Sequence, residues 1–426
     1  MYIDMDVKKI GEIISGGGNH AIFVESNGQE EYCRANYLES ILIRFGRKVI
    51  HVAHRTYTGQ YYEEEDCELL SIYSAFNLMD DKVNNRLKYF DVLLIDEIFM
   101  VRSDEFAAID MKMKQARNNN APFGGVQVIV MGDIMQLPPC PVDSALESAI
   151  IGTHGSLYCF ATKAWADAKF NVHKVDGIRN RFCDDWLTEC LHAIHSKSIT
   201  KSELTTINDR LISNGEKNAQ KCQLTWYEEE ARSINQQMEN NIEDSQLILK
   251  STATGYCISD FPVEDYPVDY NMILRENERI ILVSMGNGYV SGVLGTFIMP
   301  GVNNDLIVCL DRSHLEVNVP LTSWEHLVVE YDESMNYIYH PVSRYIQYPV
   351  LPGYAVTVER ARGMFSLIGS FHIELPSNKR TPPGFIYAAL SCADTLDELS
   401  CNRRIELDEL RPPEEVVKFM DSNQLW

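Results

Sequence analysis

The sequence predicts an α/β protein built on buried parallel strands, and three observations predict it. Val92-Leu93-Leu94-Ile95 is an apolar run that ends in Asp96-Glu97. Val126-Gln127-Val128-Ile129-Val130-Met131 is a second run, ending in Gly132-Asp133-Ile134-Met135-Gln136-Leu137-Pro138-Pro139. A short apolar run bounded by turn residues reads as a strand buried on both faces. The third observation is that polar groups follow both runs directly. In an open α/β sheet, ligands bind at the carboxyl ends of the strands.

The bulk properties bound the rest. A chain of 426 residues has room for two or three domains with sizeable cores. No apolar run is long enough to span a membrane. The start, Met1-Tyr2-Ile3-Asp4-Met5-Asp6, is acidic and lacks the basic, apolar opening of a secretory signal. Eleven scattered cysteines without a Cys-x-x-Cys pair predict reduced thiols and a cytoplasmic protein. The net charge of -23 is the most restrictive number. Nucleic-acid binding draws on phosphate neutralisation, so any such site must be a local basic groove.

Asp-Glu after a buried strand is the Walker B arrangement, in which the Asp helps hold Mg²⁺ and the Glu polarises an attacking water. Asp133 and Gln136, after the second strand, are candidates to sense a γ-phosphate from the side. Together these residues resemble superfamily 1 DNA helicases of the PIF/RecD-like group, superfamily 1B. Asp96-Glu97 matches that family's motif II, and Gly132 to Pro139 its motif III. The resemblance implies two RecA-like P-loop NTPase lobes, with a small all-β, SH3-like insertion in the second. Residues 1–170 are expected to form the first lobe, residues 171–244 and 341–426 the second, and residues 245–340 the insertion.

Taken in order, Val7 to Ile14 has helical spacing and stops at Ser15 and Gly16-Gly17-Gly18. Ala21-Ile22-Phe23-Val24 predicts a strand, Tyr32 to Phe45 a helix, and Lys48-Val49-Ile50-His51-Val52-Ala53 a second strand. Ser71 to Phe76 resembles the segment after the family's motif Ia. Glu63-Glu64-Glu65-Asp66 reads as a solvated loop. Arg102 to Gln115 fits a helix.

The Walker A loop departs from the family. It needs glycines to cradle phosphates, a Lys for the β/γ-phosphates and a Ser/Thr hydroxyl for Mg²⁺. Here the stretch is Glu25-Ser26-Asn27-Gly28-Gln29-Glu30-Glu31-Tyr32-Cys33. Gly28 remains, Tyr32 stands at the Lys position and Cys33 at the Ser/Thr position. Glu30 and Glu31 would face a triphosphate with like charge. One such contact at ~4 Å costs about 4 kcal/mol at an effective dielectric near 20.

Ile178-Arg179-Asn180-Arg181 resembles motif IV, with Arg179 at the position that reaches a phosphate across the cleft. His192 and His195 share a helix face near Cys183 and Cys190; the bare spacing favours a structural role over zinc. Leu224-Thr225-Trp226 to Asn235 resembles the opening of the second lobe. The next hundred or so residues have strand-forming composition, with a turn signal at Asn287-Gly288. Tyr289, Phe297 and Trp324 are candidates to stack bases or to fill a core. Gly353 to Gly363 resembles motif V. Thr357 is a candidate DNA-backbone contact, and Arg360 and Arg362 are candidates to pair with phosphates. Tyr387-Ala388-Ala389-Leu390-Ser391-Cys392 resembles motif VI, with Cys392 where the family carries its transition-state Arg. Such a group is worth about three to five orders of magnitude in rate.

The expectation is a helicase-fold protein that binds single-stranded DNA, with ATP hydrolysis lost or impaired. Mg²⁺ and ATP are its cofactors only if it is active. Two alternatives stand beside it. One is an active 5′-to-3′ helicase with a divergent nucleotide site. The other is a scaffold that docks on a protein partner and binds no DNA, and the acidic charge favours it over the first alternative.

Overall fold

The computed structural model describes residues 5–24, 29–54, 69–76, 78, 83–135, 137–139, 144–175, 184–217, 221–239, 246–250, 252–255, 266–331, 337–364, 367–375 and 381–424.

The amino-terminal part carries β1 (His20–Val24), β2 (Val49–Ala53), β3 (Leu69–Ser71), β4 (Val92–Ile95), β5 (Gln127–Gly132) and β6 (Asn171–Val175). They form one parallel sheet in the order β3-β2-β4-β5-β1-β6. The apolar runs are continuous because helices cover both faces. Alternate residues divide between two cores. Ile22, Val24, Val49, Leu94, Ile129 and Met131 pack with Ile10, Ile14, Leu38 and Leu42 of helices Met5–Ser15 and Gln29–Arg44. Phe23, Val52, Ile95 and Val130 face Phe106 and Ile109 of helix Ser103–Arg117.

Register fixes what emerges at the carboxyl edge. Ile95 lies beside Val52 on one side and Val130 on the other. His54, Asp96-Glu97 and Asp133 therefore leave three neighbouring strands side by side. Gly132 makes this possible: a Cβ there would stand 3.0 Å from side-chain atoms of Ile98 and Phe99.

The next strands are β7 (Cys222–Thr225), β8 (Gln246–Lys250), β9 (Thr252–Gly255), β10 (Asn271–Arg275), β11 (Arg279–Leu282), β12 (Leu294–Pro300), β13 (Leu306–Leu310) and β14 (Glu316–Val319). After them come β15 (Thr322–Tyr331), β16 (Tyr337–Gln347), β17 (Val350–Pro352), β18 (Ala355–Thr357), β19 (Phe371–Ile373) and β20 (Leu399–Cys401). A second parallel sheet runs β18-β7-β19-β20. Between β7 and β18 the chain builds an antiparallel sheet, β14-β13-β12-β11-β17, a β15-β16-β9 ribbon and a β8-β10 pair. Two parallel-sheet lobes with a β-rich excursion are thus the architecture.

Three boundaries differ from the sequence expectation. β6, assigned to the second lobe, pairs with β1 and completes the first sheet through Val175. The β-rich region extends past residue 340, since β17 pairs with β11. The last helix, Glu414–Ser422, returns to the first lobe: the Phe419 ring stacks on Phe160 with centroids 4.3 Å apart and meets Phe23 edge-on. Strand pairing and ring burial over long sequence separations leave no local trace, so spacing could not place these ends.

Candidate nucleotide cleft between the two lobes

Asp96 is buried at the end of β4. Its Oδ1 accepts the Glu97 N–H at 2.8 Å, and its Oδ2 lies 4.0 Å from His51 Nε2. His51 Nδ1 is 2.9 Å from Glu39 Oε2, and both side chains are fully enclosed. Burial pushes the Asp96 carboxyl up, against the pull of His51, the Glu97 N–H and Arg362. Burial opposes the charged form of His51, but Glu39 and then Asp96 outweigh it and raise its pKa. A relay from helix Gln29–Arg44 through β2 thus backs Asp96, the acid expected at motif II.

Glu97 has φ 50° and ψ 41°, a left-handed backbone that costs a non-glycine residue free energy and recurs at functional sites. Burial pushes its carboxyl up to about 7, Arg362 and His54 pulling down while Asp96 and Glu359 push further up.

The second lobe meets this edge directly. Arg362 Nη2 is 3.9 Å from Glu97 Oε1, its side chain 3% exposed. His54 Nδ1 is 3.9 Å from Glu359 Oε1. Asp133 Oδ2 accepts the Tyr387 O–H at 3.0 Å, and its Oδ1 accepts the Met135 N–H. His195 Nε2 stands 3.5 Å from that same Oδ1. On the first-lobe side His54 also lies 3.2 Å from the Tyr73 hydroxyl and 3.7 Å from Glu105.

The structure therefore brings Asp96, Glu97, Asp133 and Arg362 together. Cys392 closes helix Phe385–Ser391 and donates its thiol to the Ala388 carbonyl at 3.1 Å; burial pushes that thiol up to about 12, against Arg362. Two expectations for DNA contact are corrected. Arg362 is drawn into the cleft by the strand-end acids. Thr357 is buried, and its hydroxyl accepts the Arg360 N–H as cap of helix Val358–Arg362. Arg360 keeps 17% of its side chain exposed, 4.0 Å from Glu228. Tyr289, Phe297 and Trp324 are core residues, so none is presented for stacking on a base. Gly28, Gln136 and Arg179 lie outside the described residues. Tyr32 and Cys33 fall in helix Gln29–Arg44, and their side chains are not described.

That helix tests the fit of a Mg²⁺-triphosphate. β1 ends at Val24 and the helix begins at Gln29, earlier than the expected Tyr32. Residues 25–28 alone connect them, where a phosphate loop sets four residues between its two glycines before the Lys. Glu30 and Glu31 stand in the first turn, where a phosphate-binding helix offers N–H groups. A thiol at residue 33 is also a poor partner for Mg²⁺. The groups present do not fit a tightly held triphosphate.

His51, Glu39, His54 and Tyr387 were missed as site residues. His51 left a signal: it is a polar residue inside an otherwise apolar strand. Glu39 and Tyr387 left none beyond their neighbours, because their roles depend on cross-element contacts.

Two parallel sheets facing each other across acids at strand ends define a two-lobed protein of the RecA-like kind. A family model for PIF1-like helicases matches residues 67–169. ATP-dependent DNA helicase PIF1 of Homo sapiens is 27% identical over 230 residues, 48% of this chain and 31% of that protein. ATP-dependent DNA helicase Pif1 of Bdellovibrio bacteriovorus is 21% identical over 73% of this chain and 66% of its own. The matches thus span less than two thirds of these relatives' length. Among solved structures, Bacteroides sp Pif1 in complex with ADP-AlF4 superposes with a TM-score of 0.79 at 19% identity, over 100% of this chain and 97% of that one. The Candida albicans Pif1 helicase gives 0.66 at 16%, over 99% of both. Residues 67–169 thus match the PIF1-like helicase family, and the whole chain shares the fold of the solved Pif1 structures. Among the described residues, no helix is long and apolar enough to cross a membrane.

Proposed function

We propose that this protein binds single-stranded DNA on a PIF1-like helicase fold, with ATP hydrolysis lost or impaired. The observation that carries the reading is the start of helix Gln29–Arg44. It follows a four-residue connection and has two glutamates in its first turn and no lysine. Cys392 supports it, since a neutral thiol bonded back to Ala388 cannot stabilise charge developing on a phosphoryl group. Single-stranded DNA as partner is supported by relatives: a Bacteroides Pif1 structure is described as bound to ssDNA. Arg360 is a motif V residue that keeps 17% of its side chain exposed, and the net charge of -23 keeps any phosphate-binding surface local.

A second reading is an active ATP-dependent helicase. It is favoured by the intact Asp96-Glu97 turn with a guanidinium beside it, and by relatives that carry the name ATP-dependent DNA helicase. Mg²⁺-ATP turnover with and without single-stranded DNA separates the two. We expect no turnover above that of the Glu97→Gln variant. DNA-stimulated turnover abolished by that substitution would establish a motor.

A further inference from the structure

We propose that Arg362 and Tyr387 are positioning residues that clasp the two lobes together without nucleotide, filling with the chain's own groups the gap a triphosphate would bridge. The contacts form a row along one edge. β2, β4 and β5 are consecutive in the first sheet, and each ends in a group that meets the second lobe. After β2, His54 meets Glu359. After β4, Glu97 meets Arg362. After β5, Asp133 meets Tyr387 and His195. Three strand positions at about 4.8 Å spacing make a contact line about 10 Å long, enough to fix the angle between the lobes.

Sign and burial both matter. Asp96, Glu97 and Asp133 put three carboxyl groups at one edge, all buried or nearly so. Enclosed acids need a cation or donors. Here the second lobe supplies a guanidinium and a phenol. Arg362 is firmly placed: helix Val358–Arg362 continues directly from β18 and is capped by Thr357. Its position therefore reports the position of the whole second sheet. Removing one partner of an enclosed ion pair is costly because the other charge is left uncompensated.

The clasp is tied to the impaired-hydrolysis reading, since it assigns the cleft to protein contacts, but the two fail separately. The test measures the distance between fluorophores at Thr153 in the first lobe and Gln236 in the second, both exposed and both introduced as noncanonical residues. Wild-type protein is expected to give the same transfer efficiency with and without a Mg²⁺-bound non-hydrolysable ATP analogue. Arg362→Glu sets two acids against each other and is expected to lower the efficiency. Adding Glu97→Arg is expected to restore it, as a specific pair demands. Tyr387→Phe, the milder variant, is expected to speed amide exchange in helix Phe385–Ser391 by about fivefold or more. A wild-type distance that shortens only with the analogue would overturn the clasp. So would an Arg362→Glu variant with unchanged distance, or exchange unaltered in Tyr387→Phe. ATP turnover with lobes closed in the absence of nucleotide would sink the impaired-hydrolysis reading and leave the clasp standing.

Discussion

Glu278 is an acid sealed at the foot of β11, its side chain fully enclosed, with Oε2 accepting the Arg275 N–H at 2.7 Å. Burial pushes its carboxyl from about 4.5 up to about 7. The folded state therefore holds a proton that the unfolded chain releases at lower pH, so this group costs stability as pH rises through that window. Glu278→Gln keeps an accepting oxygen and removes the ionisation. The variant is expected to show a flatter melting temperature between pH 4.5 and 7 than the parent, with the gain greatest at and above pH 7. Glu409 runs the other way: bidentate contact with Arg403 lowers its carboxyl to about 2. Its stabilisation is present at neutral pH and lost as pH falls from about 4.5 toward 2. Arg403→Ala is expected to shift acid unfolding to higher pH, read by circular dichroism. At this scale type and spacing marked Asp96-Glu97 as a pair of acids after a buried strand, and the structure places them at the end of β4. The sequence could not separate Arg362 from Arg360, both candidates to pair with phosphates and alike in charge. Arg362 stands beside Glu97 and Arg360 beside Glu228, two positions apart on one five-residue helix.

The strand elements were legible because a parallel strand covered on both faces must be largely apolar: β4 is so throughout, and β1, β2 and β5 each carry a single polar side chain, His20, His51 and Gln127. Their ends were legible only to within a few residues. The helix expected from Tyr32 begins at Gln29, since Glu30 and Glu31 suit a helix's first turn as well as they suit a loop. Gly132 ties two elements together. Gly132→Val would drive a branched side chain into Ile98 and Phe99, which lie 3.0 Å from where its Cβ would stand. A loss of about 1–3 kcal/mol is expected, read as a lower denaturation midpoint at unchanged slope. The closing helix makes the converse case. Phe419 packs among Phe160, Trp165 and Phe23. Phe419→Ala is expected to cost about 2–3 kcal/mol, less than a fully enclosed ring because Phe419 is half-buried.

At the scale of the molecule, the net charge of -23 constrains the proposed binding of single-stranded DNA. If binding rests on few cations, its salt dependence is shallow, with a slope of about -0.7 per phosphate neutralised on a single strand. Arg360→Ala is expected to weaken binding alike for all sequences and to flatten that slope by about 0.7, measured by filter binding across salt concentrations. A parent that shows no salt-sensitive binding would favour a scaffolding role. Two lobes and a β-rich excursion were readable from motif order. The crossing of the carboxyl-terminal helix to the other lobe was not, because it is settled by which surface is left uncovered once the rest has folded.

That crossing carries a consequence for biosynthesis. The first lobe is discontinuous in the chain: its sheet is complete at Val175, yet the Phe160 face that stacks on Phe419 is covered only when Glu414–Ser422 arrives. Some 240 residues separate the two, about 12–50 s of elongation at 5–20 residues per second. Through that interval the nascent chain exposes an aromatic patch around Phe160 and Trp165, a natural station for a holding chaperone. Chains stalled before residue 414 should be retained by such a chaperone, and full-length chains released.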